Sequence, residues 1–209
     1  FSSNDNDINS LKHIDEDLII KMQKKYFEGI DKFSDSNLFN KTIVDKFPLN
    51  IMEVGFINRI FPKSKFILLL RHPCDVTLSC FITDFKINEA MSNFYNINDT
   101  CYLYNEIFTL WTQYTEQLDI DFHTLQYEEV ILNFQPTINK LLKFLDLNWE
   151  NNLFDFNNQV LKRKKINTPS YSQVIEPLYK NSIARWKKYD QMVSASPILK
   201  DWIKKFNYK

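Results

Sequence analysis

Residues 66–70 read Phe-Ile-Leu-Leu-Leu, five apolar side chains without interruption, and Arg71-His72-Pro73 follows at once. A run of that length fits a strand better than a helix. Having no polar alternation, it suits a strand covered on both faces, as in a parallel sheet flanked by helices. Pro73 then stands where proline is best tolerated, in the first turn of a helix that the pattern carries to about Thr83. A strand, a cationic corner and a helix in direct succession make a βα unit, and the rest of the chain has to be built around it.

Two further stretches read as strands. Residues 42–47 (Thr-Ile-Val-Asp-Lys-Phe) end at Pro48 and present Asp45 and Lys46 at their C-terminal end, and residues 120–125 form the other. Helical spacing of apolar residues marks 15–33, with Asp15 as its cap, then 50–61, 100–118 and 128–145, the last restarting at Pro136. Residues 182–189 and 197–206 read as closing helices, and 85–98 is irregular and aromatic-rich. Strands alternating with helices predict an α/β three-layer sandwich with a parallel sheet. Three strands are few, because such sheets have about five. The chain starts at Phe1 with no basic-then-apolar signal segment. The expectation is therefore the C-terminal part of a longer protein, with a first central strand upstream.

Only 2 of the 209 residues are glycine, Gly29 and Gly55, against about 15 in an average domain of this length. Isolated glycines exclude a Gly-rich dinucleotide fingerprint and a Walker-type phosphate loop within the chain. The 44% hydrophobic and 15% aromatic content excludes a disordered protein. No apolar run approaches the roughly 18–20 residues that span a bilayer. Cys74, Cys80 and Cys101 lack CxxC spacing, which argues against a zinc site or a disulfide framework and for reduced thiols in a cytosolic protein. The zero net charge hides an asymmetry: residues 161–209 hold 12 Lys+Arg against 3 Asp+Glu, leaving 14 against 23 in the remainder. Aromatics interleaved at Tyr171, Tyr179, Trp186 and Trp202 make the basic part folded structure, not a polybasic nucleic-acid arm.

In open parallel α/β sheets, ligands bind beyond the carboxyl ends of the strands. Lys46 and Arg71 stand at two such ends. Arg71 offers a planar fork for phosphate oxygens, Ser79 adds a hydroxyl from the following helix, and the helix N-terminus is expected to add free N–H groups.

The string from Phe61 to Phe81 resembles the 3′-phosphate-binding segment of sulfotransferases, which use 3′-phosphoadenosine 5′-phosphosulfate (PAPS) as sulfuryl donor: strand, Arg-Asp/His-Pro, two residues, then a helix with Leu-Ser. The resemblance continues through Asp45-Lys46-Phe47-Pro48, Tyr127-Glu128 after a strand, Thr168-Pro169-Ser170, and Arg185-Trp186. It covers about residues 14–190, and is nearest to bacterial TPR-linked and tyrosylprotein sulfotransferases.

The resemblance implies a P-loop-NTPase-like sulfotransferase fold over one incomplete domain, 1–209, with 1–13 loose and 191–209 a closing helix. Arg71 and Ser79 would hold the 3′-phosphate, Tyr127 would lie near the adenine, and Arg185 would reach a phosphate. Lys46 would neutralise the leaving phosphate, with Ser170 nearby. The donor is PAPS, the product adenosine 3′,5′-bisphosphate, and the acceptor an unidentified hydroxyl, with 85–98 as a candidate acceptor-side lid. The reaction needs no metal. The implied setting is a bacterial cytoplasm, or a Golgi-like lumen if the source is eukaryotic, with an upstream TPR region or a second copy as possible partners and no nucleic acid or membrane span. The family's glycine-bearing 5′-phosphosulfate loop is absent from the chain, and in relatives the acceptor-activating base also lies upstream. The alternative is a non-catalytic nucleotide- or polyanion-binding module that keeps only the 3′-phosphate half-site.

Overall fold

The computed structural model describes residues 8–32, 41–150, 153, 182–189 and 196–209. Along them run α1 (Glu16–Asp31), α2 (Val54–Ile60), β1 (Phe66–Leu70), α3 (Pro73–Ile82), α4 (Ile97–Gln117), β2 (Phe122–Gln126), α5 (Tyr127–Leu132), α6 (Phe134–Phe144) and α7 (Pro197–Lys205). Turns of 3-10 helix lie at Ile8–His13, Pro48–Glu53, Met91–Tyr95 and Arg185–Tyr189. The chain divides into one unit of Phe1–Phe66 with Ile107–Asp121, and a second of Ile67–Glu106 with Phe122–Lys209.

In the first unit Asp15 caps α1 as its sequence predicts, accepting the Asp17 N–H at 3.1 Å. Glu16 and Asp17 place negative charge in the first turn, where the helix dipole favours it. Gln23 ties α1 to the end of α2 by donating to the Ile60 carbonyl at 2.6 Å, and the rings of Tyr26, Phe27 and Phe61 pack at 5.2–6.0 Å. Tyr114 of α4 donates to the Met52 carbonyl at 2.7 Å. Gly55 is buried against that ring; a Cβ there would stand 2.5 Å from Tyr114 Cε1 and 2.8 Å from Leu11 Cδ1. One of the two glycines is thus fixed by close packing.

Residues 42–47 are not a strand, contrary to their β-branched pattern. Phe47 has extended dihedrals (φ −135°, ψ 125°), but a strand exists only when its N–H and C=O groups meet a neighbour. Among the described residues none forms a ladder with this stretch, and Ile43, Val44 and Phe47 are exposed. The helix expected over 50–61 begins as the 3-10 turn Pro48–Glu53, with the fixed φ of Pro48 at its start.

The second unit contains the parallel pair β1–β2. Leu68 and Leu70 are buried at 8% and 4% exposure, whereas Ile67 and Leu69 stay 40% and 61% exposed. The expectation that both faces of this run are covered therefore fails on one face. The buried residues of this unit also include Cys74, Leu78, Cys101, Tyr104, Ile131, Leu199 and Trp202. The break between α5 and α6 falls at Asn133, three residues before Pro136. That puts Pro136 in the first turn of α6, where its missing N–H costs little. His123 stacks on Phe144 at 5.4 Å, a packing role. Trp202 of α7 donates from Nε1 to Asn105 Oδ1 at 3.0 Å, anchoring α7 to α4.

Candidate functional site

The corner Arg71-His72-Pro73 joins β1 to α3 within the second unit. His72 is the N-cap of α3: its Nδ1 accepts the Cys74 N–H at 3.2 Å. An accepting Nδ1 leaves the ring proton on Nε2. The His72 carbonyl accepts the N–H groups of Asp75 (2.9 Å) and Val76 (3.1 Å), and Pro73 has no N–H to offer. The free amides expected at this helix N-terminus are thus already used. Any anion received here would be held by side chains, with the dipole in support.

Three carboxylate contacts shape the corner. Glu128 Oε1 accepts the His72 N–H at 2.9 Å, and its Oε2 accepts from the Tyr208 hydroxyl at 2.8 Å. Burial and that hydrogen bond to Glu128 hold the Tyr208 phenol far above its ordinary pKa. Asp75, 1% exposed, accepts the backbone N–H groups of Ala184 and Trp186, each at 2.9 Å. The Trp186 ring stacks on His72 at 4.9 Å with an interplanar angle of 17°. Burial, the largest influence on His72, lowers its pKa against the opposing pull of Asp75 and Glu128. His72 is therefore a packed, capping, neutral imidazole.

Arg71 points its Nη2 at this assembly. It donates to the Ser182 carbonyl and lies 3.8 Å from Asp75 Oδ1. The guanidinium carbon sits 5.4 Å from the centre of the Tyr127 ring, within cation–π range. Arg71 Nε is buried with no hydrogen-bond partner among the described residues.

Of the sequence-predicted site residues, Arg71 and Tyr127 meet here. Ser79 is half-buried two turns along α3, its carbonyl accepting from Thr83 Oγ1 at 2.6 Å. Arg185 is exposed and begins the 3-10 turn whose neighbouring amides Asp75 holds. Lys46 is exposed in the first unit, where the neighbouring Asp45 accepts from the Tyr26 hydroxyl at 3.3 Å. Ser170 lies outside the described residues. Sequence reasoning assigned no role to Asp75, Glu128 or Tyr208. An acidic residue in a first helical turn reads as dipole compensation, and nothing local announces partners 80 to 111 residues away.

Cys80 on α3 is no nucleophile at neutral pH, since burial pushes its thiol up to about 11. Among the described residues no cluster of His, Cys, Asp and Glu is placed to hold a metal ion, and no helix is long and apolar enough to cross a membrane. A cleft of about 180 Å³ in the first unit has Lys12, Asn58 and Arg59 in its wall. It includes none of the predicted site residues and is a separate feature.

The sequence model of the sulfotransferase family matches residues 5–151. The chain belongs to the sulfotransferase family. The matched span contains Lys46, Arg71, Ser79 and Tyr127, while Ser170 and Arg185 lie beyond it. The sulfotransferase fold is seen in the similarity to a solved sulfotransferase domain from the curacin biosynthetic pathway. That match has a TM-score of 0.65 at 17% identity and covers 97% of this chain and 77% of that one. Among the described residues the sheet of this family member is short, the two strands β1 and β2. An uncharacterized protein of Aquifex aeolicus is 24% identical over 198 residues, 94% of this chain. The chain spans 25% of that relative's length.

Proposed function

We propose that this chain carries the 3′-phosphate half of a PAPS site and works within a sulfotransferase that moves a sulfuryl group from PAPS to an acceptor hydroxyl. The observation that carries this reading is Arg71: a strand-end guanidinium inside the family-matched span whose buried Nε has no hydrogen-bond partner among the described residues. Buried donors without acceptors are uncommon and call for a ligand or a cost. Ser79 and Arg185 join Arg71 as phosphate contacts in this reading, and Tyr127 accompanies the adenine. The chain's 209 residues are read as part of one sulfotransferase domain, which the 97% coverage of the structural match supports.

In the reaction, the acceptor oxygen attacks sulfur in line and the bond from sulfur to the bridging oxygen of the 5′-phosphate breaks. The acceptor proton passes to a general base. Lys46 neutralises the charge gathering on the departing phosphate, with Ser170 assisting. Adenosine 3′,5′-bisphosphate leaves. The reading sets the protein in a bacterial cytoplasm.

The test is transfer of labelled sulfate from PAPS by the full-length protein to a panel of peptide, carbohydrate and small-molecule hydroxyls. Labelled product from any acceptor supports the assignment. Tight bisphosphate binding with no transfer would leave a nucleotide-binding module.

A further inference from the structure

Asp75 is the most buried carboxylate of the second unit's corner, with a side-chain exposure of 0% in its ion pair with Arg71. Burying a charge is unfavourable unless hydrogen bonds and an opposite charge compensate. Here the compensation comes from a segment more than a hundred residues away: Oδ2 takes the Ala184 N–H and Oδ1 takes the Trp186 N–H. The same segment is held twice more. The Ser182 carbonyl receives Arg71 Nη2, and the Trp186 ring lies flat on His72. Ala184 adopts φ 55°, a left-handed conformation unfavourable for a residue with a Cβ. Its amide is turned toward Asp75 in that conformation, so a local strain is sustained by the carboxylate.

Arg185 sits between the two amides that Asp75 fixes. We propose that Asp75 is the positioning residue of the donor site. It pins residues 182–189 to the Arg71 corner so that Arg71 and Arg185 address one 3′-phosphate. Asp75 touches no ligand. It orients Arg71 from the Nη2 side, where the Ser182 carbonyl also sits, and leaves Nε, which has no hydrogen-bond partner among the described residues, to face the phosphate. The proposal rests on the donor-site reading above.

Asp75→Asn keeps the side-chain volume but replaces one accepting oxygen with an amide that cannot accept, and removes the charge beside Arg71. Calorimetry on parent and variant should use adenosine 3′,5′-bisphosphate and adenosine 5′-monophosphate, which lacks the 3′-phosphate. The variant is expected to bind the bisphosphate roughly tenfold to a hundredfold more weakly, as befits loss of charge-assisted contacts. The affinity for the monophosphate should change by less than about threefold, because the lost contacts serve only the 3′-phosphate. Equal weakening for both ligands would mean a general structural lesion and overturn the positioning role, as would unchanged bisphosphate affinity. If the variant does not fold, hydrogen exchange on the unliganded parent decides. Slow exchange at the Ala184 and Trp186 amides supports the tether, and loop-like exchange there overturns it. A parent that binds neither ligand overturns the donor-site reading, and this inference with it; a parent that binds while the variant binds equally well overturns this inference alone.

Discussion

Tyr208, beyond the end of α7, donates its phenolic hydrogen to Glu128 Oε2 at 2.8 Å while the other oxygen of Glu128 takes the His72 N–H at 2.9 Å. One carboxylate thus joins α5, the β1–α3 corner and the segment after α7. Gln126 strengthens the same connection by donating to the Phe206 carbonyl at 3.1 Å. Replacing Tyr208 with Phe keeps the ring edge that meets His72 at 5.2 Å and removes only the hydroxyl. The expected loss of stability is about 1.5–3 kcal/mol, the range for a hydrogen bond to a charged partner. It is read as a lower urea midpoint with an unchanged slope.

The buried neutral state of His72 makes stability depend on pH. Its folded pKa lies below the ordinary value, which for an unperturbed histidine is about 6.5. Between those two values the unfolded chain binds more protons than the folded one, so stability falls as the pH drops below about 6.5 and levels off beneath the folded pKa. His72→Asn keeps a good N-cap without a titrating ring. Urea melts from pH 7.5 to 5 should show a slope in the parent that the variant lacks; equal slopes would contradict the assignment.

The two glycines should respond to alanine in opposite directions. A Cβ at Gly55 meets Tyr114 Cε1 at 2.5 Å, so Gly55→Ala forces a ring that is also hydrogen-bonded to Met52 to move. About 1–3 kcal/mol of destabilisation is expected from such overpacking. Gly29, inside α1, has nothing within 4 Å of a built Cβ. Gly29→Ala should raise stability by about 0.5–1 kcal/mol through helix propensity. Thermal melts of both variants check the pair.

The parts of the fold that local physics controls were legible in the sequence. Apolar spacing and Asp15 gave α1 its place and cap, the run 66–70 gave β1, and Pro73 gave the start of α3. Residues 42–47 misled because β propensity cannot supply a neighbouring strand. At the site, Arg71 was readable as a cation at a strand end and Tyr127 only through the family resemblance, and the structure brings them within 5.4 Å. Their supporting carboxylates were not. Asp75 and Glu128 act on partners distant in sequence, and the amides expected to greet a phosphate are taken by His72, a capping role that its position before proline only hints at.

The central claim is that Arg71 receives the 3′-phosphate of the donor. Titration calorimetry of adenosine 3′,5′-bisphosphate into the parent and into Arg71→Ala tests it most directly. The account predicts binding by the parent and a loss of about 1.5–3 kcal/mol in the variant, the size of a charge-assisted contact. Equal affinity in the two proteins would contradict it.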